Sequence, residues 1–180
     1  MGMLPSAGVL ADDGWLVVRD SEYSFHMAFP RDWEASGRRV PQVRMFYSAP
    51  KDGPVATCNV VVRPSASLDG LGTKELDELT SKMSDSDWTP VLGGKGVNLR
   101  VLESRTIDLN KRSAKRATIE ASLSAAPVYM RYTMIMFLRP GTIWTIACAG
   151  AGRSWVQARE SYSHWEDTFN RIVGSIVFDN

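Results

Sequence analysis

Apolar and polar positions alternate over long stretches of this chain, most clearly in its last third. Residues 128–138 and 142–149 each read as a strand, and Arg139-Pro140-Gly141 between them is a tight turn. Alternation with period two sends successive side chains to opposite faces, so the pair is a hairpin. The period then changes. Tyr162, Trp165, Phe169, Ile172 and Val173 recur at helical spacing on one stripe, which predicts an amphipathic helix laid on a sheet. Ile176-Val177-Phe178 returns as a short strand. Hairpin, covering helix and returning strand predict an α+β fold in which a helix shields an antiparallel sheet.

Earlier segments fit the same plan. Residues 15–19 and 24–29 read as strands joined by Asp20-Ser21-Glu22, and 42–48 and 55–63 as two more around a Pro- and Gly-rich turn. A short helix starts near Thr73. Thr73 is its expected cap, Glu75 suits the positive end, and Leu76, Leu79 and Met83 form its apolar stripe. Residues 85–96 read as irregular, with Trp88 and Leu92 able to dock on the core. Residues 97–109 and 114–123 are extended around the polar turn Asn110-Lys111-Arg112-Ser113. Residues 1–14 are expected to be a flexible segment, with Val9-Leu10-Ala11 either the remnant of an export signal or a chance match. Residues 15–180 are expected to form one domain.

Composition narrows the function classes. Basic residues number 21 against 20 acidic ones, a net charge of +1, so nucleic acid is not an expected partner. No apolar run approaches the roughly 20 residues needed to span a bilayer. Cys58 and Cys148 both lie at apolar parity in their strands. They read as buried free thiols, with a disulfide in an oxidising compartment as the alternative. Neither has metal-ligand spacing.

Order and spacing carry a family resemblance. Ser24-Phe25-His26-Met27-Ala28-Phe29-Pro30-Arg31-Asp32-Trp33 is an aromatic strand followed by Pro-x-x-Trp. Asn59-Val60-Val61-Val62, a loop, and a helix beginning Thr73-Lys74-Glu75-Leu76 come next, and the chain ends with Trp165, Phe169, Ile172-Val173 and Ser175-Ile176-Val177-Phe178. From Trp15 to Phe178 this resembles the PsbP-like superfamily, and within it the bacterial DcrB-like domains. The resemblance implies an α/β/α sandwich around a central antiparallel sheet, and a binding or accessory role. Its relatives include a photosystem II accessory protein, a Ran-binding transport factor and secretion adaptors that hold hydrophobic helices. It carries over no catalytic motif.

Candidate chemistry is sparse. His26 and His164 are the only histidines. Gly150-Ala151-Gly152 lacks the third glycine of a dinucleotide loop, and Gly94-Lys95 lacks the Ser or Thr of a P-loop. Asp85 and Asp87 have the spacing of a calcium loop without its later ligands. Glu166 and Asp167 are expected to face water. Met130, Met134 and Met136 read as buried, or alternatively as an adaptable groove. The densest basic cluster is Lys111, Arg112, Lys115 and Arg116, with Arg38-Arg39 a smaller one. Lys111, Arg112, Lys115, Arg116 and Trp88 are the candidate partner-binding residues, since loops on a rigid sheet commonly carry recognition. The sequence thus points to a non-enzymatic accessory or protein-binding domain of the bacterial cell envelope, periplasmic by preference and cytoplasmic as the alternative. Its expected partner is a protein, with no cofactor and no metal. Two alternatives stand beside it: an adaptor shielding a hydrophobic segment of a secreted effector, and a small hydrolase with an unrecognised site.

Overall fold

The computed structural model describes residues 10–11, 14–36, 42–92 and 96–179; most of the N-terminal segment and Arg38-Arg39 lie outside these. In chain order the elements are β1 (Leu10–Ala11), β2 (Trp15–Asp20), β3 (Phe25–Pro30), β4 (Glu34–Ala35), β5 (Val43–Ser48), β6 (Ala56–Pro64), α1 (Thr73–Lys82), α2 (Thr89–Leu92), β7 (Val97–Leu109), β8 (Arg112–Leu123), β9 (Tyr129–Arg139), β10 (Thr142–Gly152), α3 (Trp155–Gly174) and β11 (Val177–Phe178). The fold is α+β. A seven-stranded sheet runs β4-β5-β6-β10-β9-β8-β7, and a four-stranded sheet runs β1-β2-β3-β11. The first strands therefore do not join the central sheet. They pair with each other and with β11, where Val177 meets His26 and Phe178 meets Phe25.

Strand parity decides what each face of the large sheet buries. One face carries Val60, Val62, Ile135, Phe137, Trp144 and Ile146, buried with Phe25, Met27 and Phe29 of the small sheet and Phe169 and Ile172 of α3. The other carries Ala117, Ile119, Met134, Met136 and Ala147, packed around Trp88. Helices thus cover both faces, and the small sheet shares the first with α3.

α3 starts at Ser154, whose hydroxyl accepts from the Gln157 N–H. It lies so close to β10 that a Cβ at Gly150 would sit 2.2 Å from the Tyr162 backbone nitrogen. A Cβ at Gly152 would sit 2.5 Å from the Gln157 Cβ. These glycines, which superficially suggested a phosphate loop, are where helix backbone meets strand backbone.

Several expectations need correction. The cysteines are not free: Cys58 and Cys148 form a disulfide. They are paired residues on β6 and β10, with Cα atoms 4.0 Å apart. The shared apolar parity was visible in sequence, but the adjacency of the strands, 90 residues apart, was not. Gly72, not Thr73, caps α1, and its N–H donates to the Glu75 carboxylate at 2.8 Å. Leu79 is exposed while Thr80 takes the buried slot. Thr80 follows Leu76 by four residues on the same face, and its hydroxyl donates to the Leu76 carbonyl, so no polar proton is stranded. Residues 85–92 are a 3₁₀ turn running into the short α2.

Candidate functional site

The four basic residues singled out in the sequence do not form one patch. Lys111 sits in the β7–β8 turn, where both it and Asn110 take positive φ. Arg112 donates through Nε to the Asp77 carboxylate at 3.0 Å, tying the turn to α1. Burial, and then the neighbouring Arg112, lower the pKa of Arg139. Lys115 is opposite Met136 and Arg116 opposite Ile135, so these two point to opposite faces. Arg116 donates to the Asn170 side chain of α3 at 2.6 Å. Trp88 is fully buried and offers its ring to the sheet rather than to a partner.

A different cationic cluster forms on the α3 face. Glu120 of β8 is 2 % exposed. Register places Arg100 of β7 and Arg131 of β9 on either side of it in one row, and α3 lowers Arg159 onto it. Arg159 Nε donates to Glu120 at 2.8 Å and Arg100 Nη2 at 2.6 Å. The Arg159 hydrogen bond, against the opposing effect of burial, holds the Glu120 carboxyl below the usual carboxylate range. The third arginine stands apart. Arg131 Nη1 is 3.9 Å from Glu120, and its buried Nε has no hydrogen-bond partner. Its guanidinium lies 5.1 Å from the Tyr162 ring centre. Tyr129 and Trp155 stand edge to face at 4.9 Å beside the cluster. Sequence reading missed this site because each arginine comes from a separate element. The available signal was Arg131, a charge interrupting the apolar run of β9, at a parity that Glu120 shares.

A groove of 690 Å³ runs between the Gly53-Pro54-Val55 turn and α3, and its walls include Glu160, Ser161 and His164. This is the residue set a hydrolase would use, but Ser161 donates its proton to the Ala151 carbonyl. His164 packs edge-on against Trp165 at 4.8 Å. The other histidine, His26, bonds through Nδ1 to Asp179 at 2.9 Å, so each has its own partner. Asp87 accepts from the backbone N–H and hydroxyl of Ser84, which makes it a turn-forming group. Glu166 and Asp167 are exposed. Among the described residues no three metal-ligating side chains gather.

On the opposite face Met134 and Met136 are buried beneath Trp88. Met130 is half-buried and accepts the Tyr132 hydroxyl at 2.8 Å. Burial pushes the Tyr132 pKa up to about 12. Val43, Phe46 and Val61 lie half-buried on the same face, outside the Trp88 cluster.

No family model matches the chain, and no curated protein matches it. Solved structures do. Cyanobacterial PsbP (CyanoP) from Synechocystis sp. superposes with a TM-score of 0.59 at 11 % identity, covering 99 % of this chain and 100 % of its own. PA94 from Pseudomonas aeruginosa gives 0.53 at 9 % identity, covering 93 % and 99 %. LpqN, involved in cell envelope biogenesis of Mycobacterium tuberculosis, gives 0.51 at 10 % identity, covering 92 % and 91 %. At these identities the likeness is one of fold, and the fold is PsbP-like. No helix among the described residues is long and apolar enough to cross a membrane.

Proposed function

We propose that this chain is a non-enzymatic accessory domain of the bacterial cell envelope that works by binding another protein, on a DcrB-like variant of the PsbP-like fold. The observation that carries the reading is the buried Cys58–Cys148 bridge within that fold. Disulfides persist in oxidising compartments and are rare in the reducing cytosol, which supports an extracytoplasmic location. The similarity to CyanoP and to LpqN, a cell-envelope protein, supports the same placement. The engaged Ser161 hydroxyl favours binding over hydrolysis, because a nucleophile needs a base on its proton rather than a backbone acceptor.

The test is made in the native host. Fractionation should find the protein outside the cytoplasm with its cysteines blocked to thiol reagents, and site-specific crosslinking should capture one defined protein. A reduced cytoplasmic protein, or ester hydrolysis abolished by His164→Ala, would overturn the reading. The adaptor alternative has its own support in Val43, Phe46 and Val61, a half-exposed apolar strip beside the Trp88 cluster. Capture of an effector's hydrophobic helix by that strip would favour it.

A further inference from the structure

The Glu120 cluster borders an unused sheet edge. β7 ends the seven-stranded sheet and has no strand on its outer side among the described residues. It runs for 13 residues, so a long row of backbone N–H and C=O groups faces outward. Edges of this kind are commonly shielded by charge and by bulges. β7 has a register shift between Val101 and Glu103, and Arg100, Glu103 and Arg105 are exposed on it.

The shielding is unequal in sign on the α3 face. Arg100 shares a row with Glu120 and Arg131, and Arg105 is opposite Arg116. With Arg159, five arginines meet Glu120, Glu103 and, on α3, Glu166. Of these, Arg100 and Arg105 stand on the strand that offers backbone pairing, with Glu103 between them, and the other three arginines lie behind it on β8, β9 and α3.

The arrangement around Glu120 also contains a spare. Removing one partner from a buried charge is costly when nothing replaces it. Here Arg100 is 66 % exposed, whereas Arg131 stands at 3.9 Å with its Nε unpaired. Arg100 can therefore turn outward to a new carboxylate while Arg159 and Arg131 keep Glu120 neutralised.

We propose that the outer edge of β7 accepts an extended acidic segment of a protein partner as an added strand, with carboxylates of one parity seated on Arg100 and Arg105. Backbone hydrogen bonds supply affinity, and the arginine row selects acidic side chains on the α3 face. The inference rests on the protein-binding reading above and adds the place and the chemistry of the partner.

The probe is a synthetic peptide of alternating Val and Glu, as long as β7, compared with its Val/Lys counterpart by fluorescence anisotropy. The Glu peptide should bind with an affinity that falls as salt rises, and the Lys peptide should not. Binding should slow amide hydrogen exchange along β7. Arg100→Gln and Arg105→Gln should each weaken it by roughly tenfold, while Arg100→Lys stays within a few-fold. Melting curves and near-ultraviolet circular dichroism identify any variant that has lost its fold, and Arg105, bonded to no core group, provides the second route. Equal binding of both peptides, unchanged exchange on β7, or binding indifferent to Arg100→Gln and Arg105→Gln would overturn the proposal. So would a native partner whose crosslinks map away from β7. That last result would leave the accessory reading standing, whereas intrinsic turnover would remove the reading itself.

Discussion

Reducing the Cys58–Cys148 bridge should leave the protein folded but much less stable. The bridge joins residues 90 apart in sequence. In the chain-entropy account, closing a loop of that length restricts the unfolded state by about 4–5 kcal/mol. The folded state loses little in return, because the β6–β10 pairing continues on both sides, from Thr142 opposite Pro64 to Gly150 opposite Ala56. At roughly 2–4 °C per kcal/mol for a chain of this size, the melting temperature should fall by about 8–20 °C. The assay is thermal unfolding of oxidised and reduced protein, with the double variant Cys58→Ala/Cys148→Ala as a permanently unbridged form. Both cysteines are at most 1 % exposed, so reduction should need denaturant or long incubation. Two titratable thiols in denaturant without reductant would refute the bridge. An unchanged melting curve after verified reduction would refute the entropy argument.

Phe169 is fully buried between α3 and the sheet, and Phe169→Ala should cost about 3–5 kcal/mol by denaturant titration. Gly150→Ala should be at least as disruptive for its size, because the added methyl meets helix backbone at 2.2 Å; it should lower the melting temperature and alter near-ultraviolet dichroism as α3 is displaced. The Glu120 carboxyl is held below its ordinary range in the folded state, chiefly by Arg159. Its stabilisation is therefore complete above the ordinary carboxylate pKa and lost as pH falls through the lower folded value. Glu120→Gln should flatten the acid limb of a stability–pH profile measured by urea unfolding.

The architecture was legible because its signals are local. Period-two alternation gives β8 and β9 within two residues at each end and β10 within three, and the apolar stripe from Tyr162 to Val173 lies inside the longer α3. The extended reading of residues 97–109 matches β7 as well, whereas Trp88, named both as able to dock on the core and as a candidate partner contact, is buried in the core. What escaped was non-local. The sequence places Cys58 and Cys148 on apolar faces, but only strand order makes them neighbours. The basic run at Lys111–Arg116 looked like one patch because four charges are close in sequence, yet strand parity divides Lys115 from Arg116. Arg100, Arg131 and Arg159 look unrelated in sequence and converge on Glu120 in space. Leu79, expected on the buried stripe of α1, is exposed, and Thr80 is buried instead, because a self-satisfied hydroxyl can occupy an apolar slot.

The connection of the two sheets has a kinetic consequence. β8, β9, β10 and α3 follow one another directly along the chain, so their contacts close short loops. The small sheet needs β11 to reach β3, with Val177 settling against His26 from far along the sequence. Loop-closure entropy favours the near contacts first and delays the distant ones. Refolding should accordingly begin as a nucleus of β8, β9, β10 and α3, with β11 pairing to β3 last. Pulse-labelled hydrogen exchange should show amides of β9 and β10 protected before those of β3, and mutations in the small sheet should speed unfolding more than they slow folding. The same ordering makes the terminal sheet the first part to open under thermal strain, exposing Phe25 and Phe178 while the arginine-lined edge is still intact.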